Sequence, residues 1–312
     1  MSDKILIIGT GAIGGFYGAL LAQSGAEVSV VCRSDYETVS RQGFQIDSHA
    51  LGRWRFQPAQ VLRRAHDYKD CADYLILCSK VVADIDRVNL IRAGLSDKTA
   101  IAFIQNGVDI EAELLAAFPD RVVISGLAYI CCNRLAPGHI RHLAYGKLTI
   151  GALTPDDAGL SERLRDLFIA GGGDCEISHD IIASRWQKCV WNAPFNPLSV
   201  LSGGLATQAI LQNQENFVGE VMEEVCRIAA ACGHPLADDT VDINLERTRN
   251  MPAYKTSMLL DFEQGRPMET EAILGNAIRA AQRHRIECPR LQSLYALMQL
   301  RELQIHENRP PD

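Results

Sequence analysis

Gly9-Thr10-Gly11-Ala12-Ile13-Gly14 follows the apolar run Lys4–Ile8 and precedes a small-residue apolar stretch that stops at Ser24-Gly25. That order reads as buried strand, glycine turn and helix, and a second apolar run, Val28–Cys32, completes a βαβ unit. Such a turn suits a pyrophosphate. The first glycine permits the bend, the second lets the anion approach the backbone, and the third lets the helix pack on the strand. The N–H groups of Ala12, Ile13 and Gly14 at the helix start then face the anion with the helix dipole behind them. Arg33 follows the second strand, where an NAD site places a carboxylate and an NADP site a cation. Its planar fork suits a 2′-phosphate, with Asp35 as the competing ribose acceptor, so the expected preference is NADP(H).

A second set lies downstream. Lys188, Asn192 and Asn196 fall at i, i+4 and i+8 among Trp186, Val190, Trp191 and Phe195. On a helix they share one face, drifting by about 40° per step. A lysine on a buried helix needs a partner or a function. Pro194 and Pro197 should kink the helix and leave room for a ligand. The same spacing equally fits a snorkelling lysine with two asparagines capping a broken helix. Glu269 and Glu271 follow the Gly265–Pro267 turn, near a helix start that favours acids in any case.

The elements that position these residues fall into two groups. Apolar runs at 74–78, 100–104 and 122–124 alternate with helical stretches at 83–95 and 110–118, which predicts a doubly wound, mostly parallel α/β domain of the Rossmann type. Lys80 and Asn106 end two of those strands, as Gly9 and Arg33 end the first two. Residues 137–152 suggest an antiparallel extension, and Thr154–Asp157 a helix start. From Ser178 onward the periodicity predicts helices over 181–201, 213–232, 237–249, 271–284 and 291–303, an all-α second domain. The expected domains are 1–178 and 179–312, with a frayed tail from Asn308.

The 312 residues carry a net charge of −7, which gives no sign of a nucleic-acid partner or an anionic membrane surface. No apolar run is long enough to span a bilayer. Ten cysteines without a CxxC pair read as buried free thiols, which with no signal peptide points to the cytoplasm. The eight histidines show no metal-ligand spacing, and no metal is expected.

The chain resembles the ketopantoate reductase (2-dehydropantoate 2-reductase) family. The matching pieces are GTGAIGG at 9–15, QNG at 105–107, PGHIRH at 137–142, KxxxNxxxNPLSVL at 188–201 and SMLLDFEQGRPMETEAILG at 257–275. The resemblance implies a Rossmann domain followed by a helical domain, a place in pantothenate biosynthesis and a small 2-keto acid as substrate. It implies Lys188 as the general acid and Glu269 as the acid that helps bind substrate and set the lysine's protonation. Asn192, Asn196 and Ser257 match groups that hold the substrate, and Asn106 one at the cofactor–substrate junction. Arg33 and Lys80 match the cations for the 2′-phosphate of NADPH, and Gly9–Gly14 the pyrophosphate cradle.

The implied reaction is NADPH-dependent reduction of ketopantoate to pantoate. Glu271 stands where aspartate is common, and Met268 where threonine is usual; since a thioether cannot donate a hydrogen bond, a more apolar pocket rim and another branched 2-keto acid form the rival reading. A non-catalytic NADP(H)-binding sensor is a second rival. A homodimer is the assembly left open.

Overall fold

The computed structural model describes residues 2–156 and 158–307. The predicted tail from Asn308 and Asp157 of the predicted helix start lie outside the described residues. The chain divides into two compact units. One comprises Met1–Lys80, Ile85–Gln105 and Glu111–Ile181, the other Val81–Asp84, Asn106–Ile110 and Ile182–Asp312.

The first unit is built on one ten-stranded sheet. Its strands are β1 (Lys4–Ile8), β2 (Glu27–Val31), β3 (Phe44–Ser48), β4 (Gly52–Phe56), β5 (Val61–Leu62), β6 (Tyr74–Leu77), β7 (Ala100–Ile104), β8 (Val123–Ala136), β9 (His139–Ala152) and β10 (Asp174–Ile177). They run in the order β4-β3-β9-β8-β7-β6-β1-β2-β5, with β10 also on β9. From β8 to β5 every pairing is parallel. Helices α1 (Ala12–Gln23), α2 (Tyr36–Gln42), α3 (Arg87–Arg92), α4 (Ala112–Ala117) and α5 (Leu160–Ala170) complete the unit. Ile5, Leu6, Ile7 and Ile8 are all buried, as a strand covered on both faces requires. Phe16, Tyr17 and Leu20 of α1 pack with Phe44, Phe56 and Phe168 in the core.

The antiparallel extension is larger than the sequence suggests. β8 and β9 are fourteen residues each and turn at Pro137-Gly138, and the glycine-bearing stretch after α2 pairs as a β3–β4 hairpin against β9. The helix expected over 83–95 is shorter. Asp86 caps α3 by accepting from Asn89 N at 2.9 Å, and Gly94 closes it by donating to the Ile91 carbonyl at 2.9 Å.

The second unit is helical. It contains α6 (Ile181–Leu201), α7 (Thr207–Ala231), α8 (Thr240–Asn250), α9 (Ser257–Glu263), a π turn at Glu271–Gly275, α10 (Asn276–His284) and α11 (Pro289–Glu307). None of its described residues is in a strand. α6 runs unbroken through Pro194 and Pro197. These prolines remove the amide donors that would meet the carbonyls of Val190 and Ala193. α7 starts earlier than expected and bends at Gln214, whose φ of −136° is not helical. Among the described residues no helix is long and apolar enough to cross a membrane.

Candidate active site

Lys188 sits half-buried on α6 and donates from Nζ to Oδ1 of Asn106 at 2.8 Å. The same carboxamide donates from Nδ2 to Oε2 of Glu269 at 3.0 Å. The other oxygen of Glu269 accepts the backbone N–H of Val81 at 3.1 Å. Asn106 is therefore oriented by both neighbours: its oxygen must meet the ammonium and its NH2 the carboxylate. Burial pulls the Lys188 ammonium down to about 8; the Glu269 charge pushes it back up, and the Arg185 charge adds to the fall. All these groups belong to the second unit. An acid of that strength beside a fixed amide can deliver a proton near neutral pH.

Asn192 and Asn196 lie further along the same helix and are buried. The carboxamide of Asn196 is 1% exposed, and neither its oxygen nor its nitrogen has a hydrogen-bond partner. Burying such a group unpaired costs about 1–3 kcal/mol, which a polar ligand group or water would offset. The capping role that spacing alone allowed does not apply, because Asn196 lies inside α6. One turn on, Ser199 Oγ donates to the Asn196 carbonyl at 2.8 Å and pairs with Thr256 Oγ1 at 2.6 Å. Thr256 caps α9 through Leu259 N at 3.2 Å, so Ser257, exposed, opens a helix whose start is tied to α6.

Met268 is 6% exposed and its thioether packs within the helical core. Glu271 is engaged by Arg279 at 2.9 Å and by the Tyr295 hydroxyl.

In the first unit the turn Gly9, Thr10, Gly11, Ala12, Ile13, Gly14 joins β1 to α1. Gly9 has φ +90°, and a β-carbon there would lie 2.5 Å from Ser79 N. One on Gly14 would lie 2.4 Å from the Gly9 carbonyl oxygen. A β-carbon on Gly11 would meet nothing within 4 Å. Gly11 caps α1 without any side-chain bond, and the first turn carries no acid. Open space in front of uncapped N–H groups fits a pyrophosphate. Thr10 turns its hydroxyl away, to the Val31 carbonyl at 3.2 Å and to Cys32 Sγ at 2.9 Å.

Arg33 is exposed beyond β2, and Lys80 is half-buried beyond β6. Asp35, the competitor for a ribose hydroxyl, is only 3% exposed and already engaged. It accepts from Arg134, from Ser34 Oγ at 2.8 Å and from Gly138 N at 3.0 Å. Asp35 is thus engaged within the protein, while Arg33 presents an exposed cation at the same strand end.

Sequence reasoning passed over four contributors. Arg185 is 1% exposed and donates to the Gly107 carbonyl at 3.0 Å. Val81 offers only a backbone N–H, which no residue type announces. Arg134 is paired with Asp35 through the β8–β9 hairpin. Gln105, bonded to Arg87 at 3.1 Å and to the Ser79 carbonyl at 2.5 Å, fixes the ends of β6 and β7. Of these, only Arg185 left a sequence signal: a charge inside an apolar helical run.

Two family models match most of the chain: "Ketopantoate reductase PanE/ApbA" over residues 5–155 and "Ketopantoate reductase PanE/ApbA C terminal" over 180–302. The 2-dehydropantoate 2-reductase of Nostoc sp. is 30% identical over 303 residues, covering 94% of this chain and 93% of that protein. The crystal structure of 2-dehydropantoate 2-reductase from Methylococcus capsulatus is similar at 53% identity and a TM-score of 0.93, covering 98% of each chain. That from Geobacter metallireducens GS-15 is similar at 34% identity and 0.89, covering 96% of this chain and 99% of the other.

Proposed function

The chain belongs to the ketopantoate reductase family and is an oxidoreductase of the 2-dehydropantoate 2-reductase type, and we propose that it reduces 2-dehydropantoate to pantoate with NADPH, using Lys188 as general acid. The observation that carries this reading is the chain of contacts from Lys188 through Asn106 to Glu269. Gly9–Gly14 would hold the pyrophosphate, and Arg33 and Lys80 the 2′-phosphate. When bound, the nicotinamide supplies hydride to C2 of the keto acid.

The protein's own residues manage the charge that follows. Negative charge builds on the ketone oxygen, where the ammonium of Lys188 stabilises it and then releases a proton to it. Asn106 holds the ammonium at a fixed place. Glu269 anchors Asn106 and favours the charged form of the lysine. Asn196, with Asn192 and Ser257, would take the hydroxyl and carboxylate of the substrate. The domain division at about residue 178 belongs to the same reading, nucleotide binding before it and substrate chemistry after it, with Asn106 grouped in the second unit as the exception. So does the homodimer, for Leu297, Leu300 and Leu303 leave apolar side chains exposed along α11; a sedimentation mass of one chain would count against it.

The test is a panel of 2-keto acids, ketopantoate first, followed by NADPH absorbance. NADPH oxidation highest with ketopantoate supports the reading. Higher turnover of another branched keto acid would move the substrate, and NADPH binding with no oxidation by any keto acid would leave a cofactor-binding sensor.

A further inference from the structure

Arg185 is among the largest fully buried side chains of the protein, and it stands one turn before Lys188 on the same helix face. A guanidinium in that position is costly unless it is paired and used. One of its N–H groups meets the Gly107 carbonyl at 3.0 Å, the residue directly after Asn106. We propose that Arg185 is a positioning residue: it holds the Gly107 carbonyl, and through it Asn106, in register with Lys188 on α6.

The loop that carries Asn106 is tied down at each following residue. Gly107 has φ +108°, and a β-carbon there would lie 2.7 Å from the Ala272 carbonyl oxygen. Val108 donates to that carbonyl at 3.1 Å and accepts from Asn276 Nδ2 at 2.7 Å. Asp109 pairs with Arg283. Those ties come from the π turn and α10. Arg185 alone among them comes from α6, the helix that bears Lys188, so it sets how Asn106 meets the ammonium. Glu269, from the segment after α9, and Arg185, from its own helix, both act on Lys188 and pull its protonation in opposite directions. Arg185 thus has two separable effects, a fixed hydrogen bond and a nearby charge.

The inference rests on the reductase reading for its catalytic consequence, but its physical core can be tested without substrate. The rate of Lys188 acetylation by acetic anhydride, followed against pH by peptide mass spectrometry, reports the free amine. The wild type should show a midpoint near 8. Arg185→Met removes the charge that opposes the ammonium, so its midpoint should rise. Arg185→Lys keeps a charge but loses the planar fork, so its midpoint should stay near that of the wild type. In turnover, both variants should lose kcat by roughly tenfold to a hundredfold with KM changed much less, because the proton donor is misplaced rather than the substrate released.

Two folded variants with the wild-type labelling midpoint and wild-type kcat would overturn the proposal. If Arg185→Met does not fold, Arg185→Lys decides it: a fall in kcat at an unchanged midpoint supports positioning, and unchanged kcat refutes it. Absence of ketopantoate reduction by the wild type would strike the reductase reading, while amide hydrogen exchange at Gly107 and Val108, expected to quicken in Arg185→Met and refuting the proposal if unchanged, would still decide for or against Arg185.

Discussion

Two glycine turns at strand ends show how differently the two halves of the chemistry are specified. Gly9 and Gly107 both adopt positive φ, and a side chain on either would strike backbone. The obstacle for Gly9 is Ser79, in the neighbouring strand connection of the same sheet, and the result is the bare start of α1, where the pyrophosphate is proposed to sit. The obstacle for Gly107 is Ala272, some 165 residues away (272 − 107) in the π turn, and the result is a side-chain relay from Asn106 to Lys188 and Glu269. The first turn offers backbone N–H groups, so six consecutive residues suffice to define it. The second offers a side chain whose value depends on three distant segments folding together.

The largest effect should come from the relay. Lys188→Ala removes the proposed proton donor, and kcat should fall by about 10²–10⁴-fold. NADPH affinity measured by fluorescence titration should remain, since the proposed anion site is the glycine turn. Near-normal turnover would take Lys188 out of the mechanism, and lost NADPH binding would mean that the two regions are not separable in this way.

The relay should also show a pH signature that the glycine turn lacks. A general acid works only while protonated. With the ammonium near 8, kcat/KM for ketopantoate should be level below that pH and fall about tenfold per unit above it. NADPH dissociation constants over the same range should not follow that limb. A kcat/KM that stays level to pH 10 would exclude Lys188 as the donor.

The contrast also accounts for what the sequence could reveal. The strands β1, β2, β6 and β7 and the extent of α6 are readable because local apolar periodicity sets them. The β3–β4 hairpin is not, since β3 pairs on β9, almost a hundred residues on (139 − 45 = 94 for His139 opposite Gln45). The candidate residues on α6 share a helical face by simple counting, and the glycine turn is contiguous. Arg185 escaped because a charge inside an apolar helical run names no partner until the Gly107 carbonyl is seen opposite it. The burial of Met268 was hidden in the same way: a loop position beside Glu269 does not reveal that the side chain turns into the core.

Gly11 gives a sharper, smaller test of the first region. Its φ is −72°, and a β-carbon there meets no atom within 4 Å. Gly11→Ala should therefore leave stability within about 0.5 kcal/mol. The added methyl projects into the space assigned to the pyrophosphate, so NADPH should bind roughly tenfold more weakly, a loss of about 1.4 kcal/mol. Gly107→Ala should behave oppositely, with positive-φ strain of about 1–3 kcal/mol and a lowered Tm. Unchanged NADPH affinity in Gly11→Ala would place the pyrophosphate elsewhere.

The smallest expected effect on cofactor choice belongs to Asp35→Asn, and it is informative because of that. In an NAD site a carboxylate after β2 accepts from the ribose, and its amide would weaken NADH use selectively. Here Asp35 is buried and already accepts from Arg134, Ser34 and the Gly138 N–H. An asparagine would keep one acceptor oxygen and turn an NH2 toward a donor, leaving buried groups unpaired at a cost of about 1–3 kcal/mol. The variant should melt several degrees lower, through the weakened tie between the β2 loop and the β8–β9 hairpin. The ratio of kcat/KM for NADPH to that for NADH should not change, whereas Arg33→Ala should lower it by weakening NADPH alone. A selective loss of NADH use in Asp35→Asn would mean that this carboxylate reaches the ribose after all, and the phosphate-selecting reading of the β2 end would fall with it.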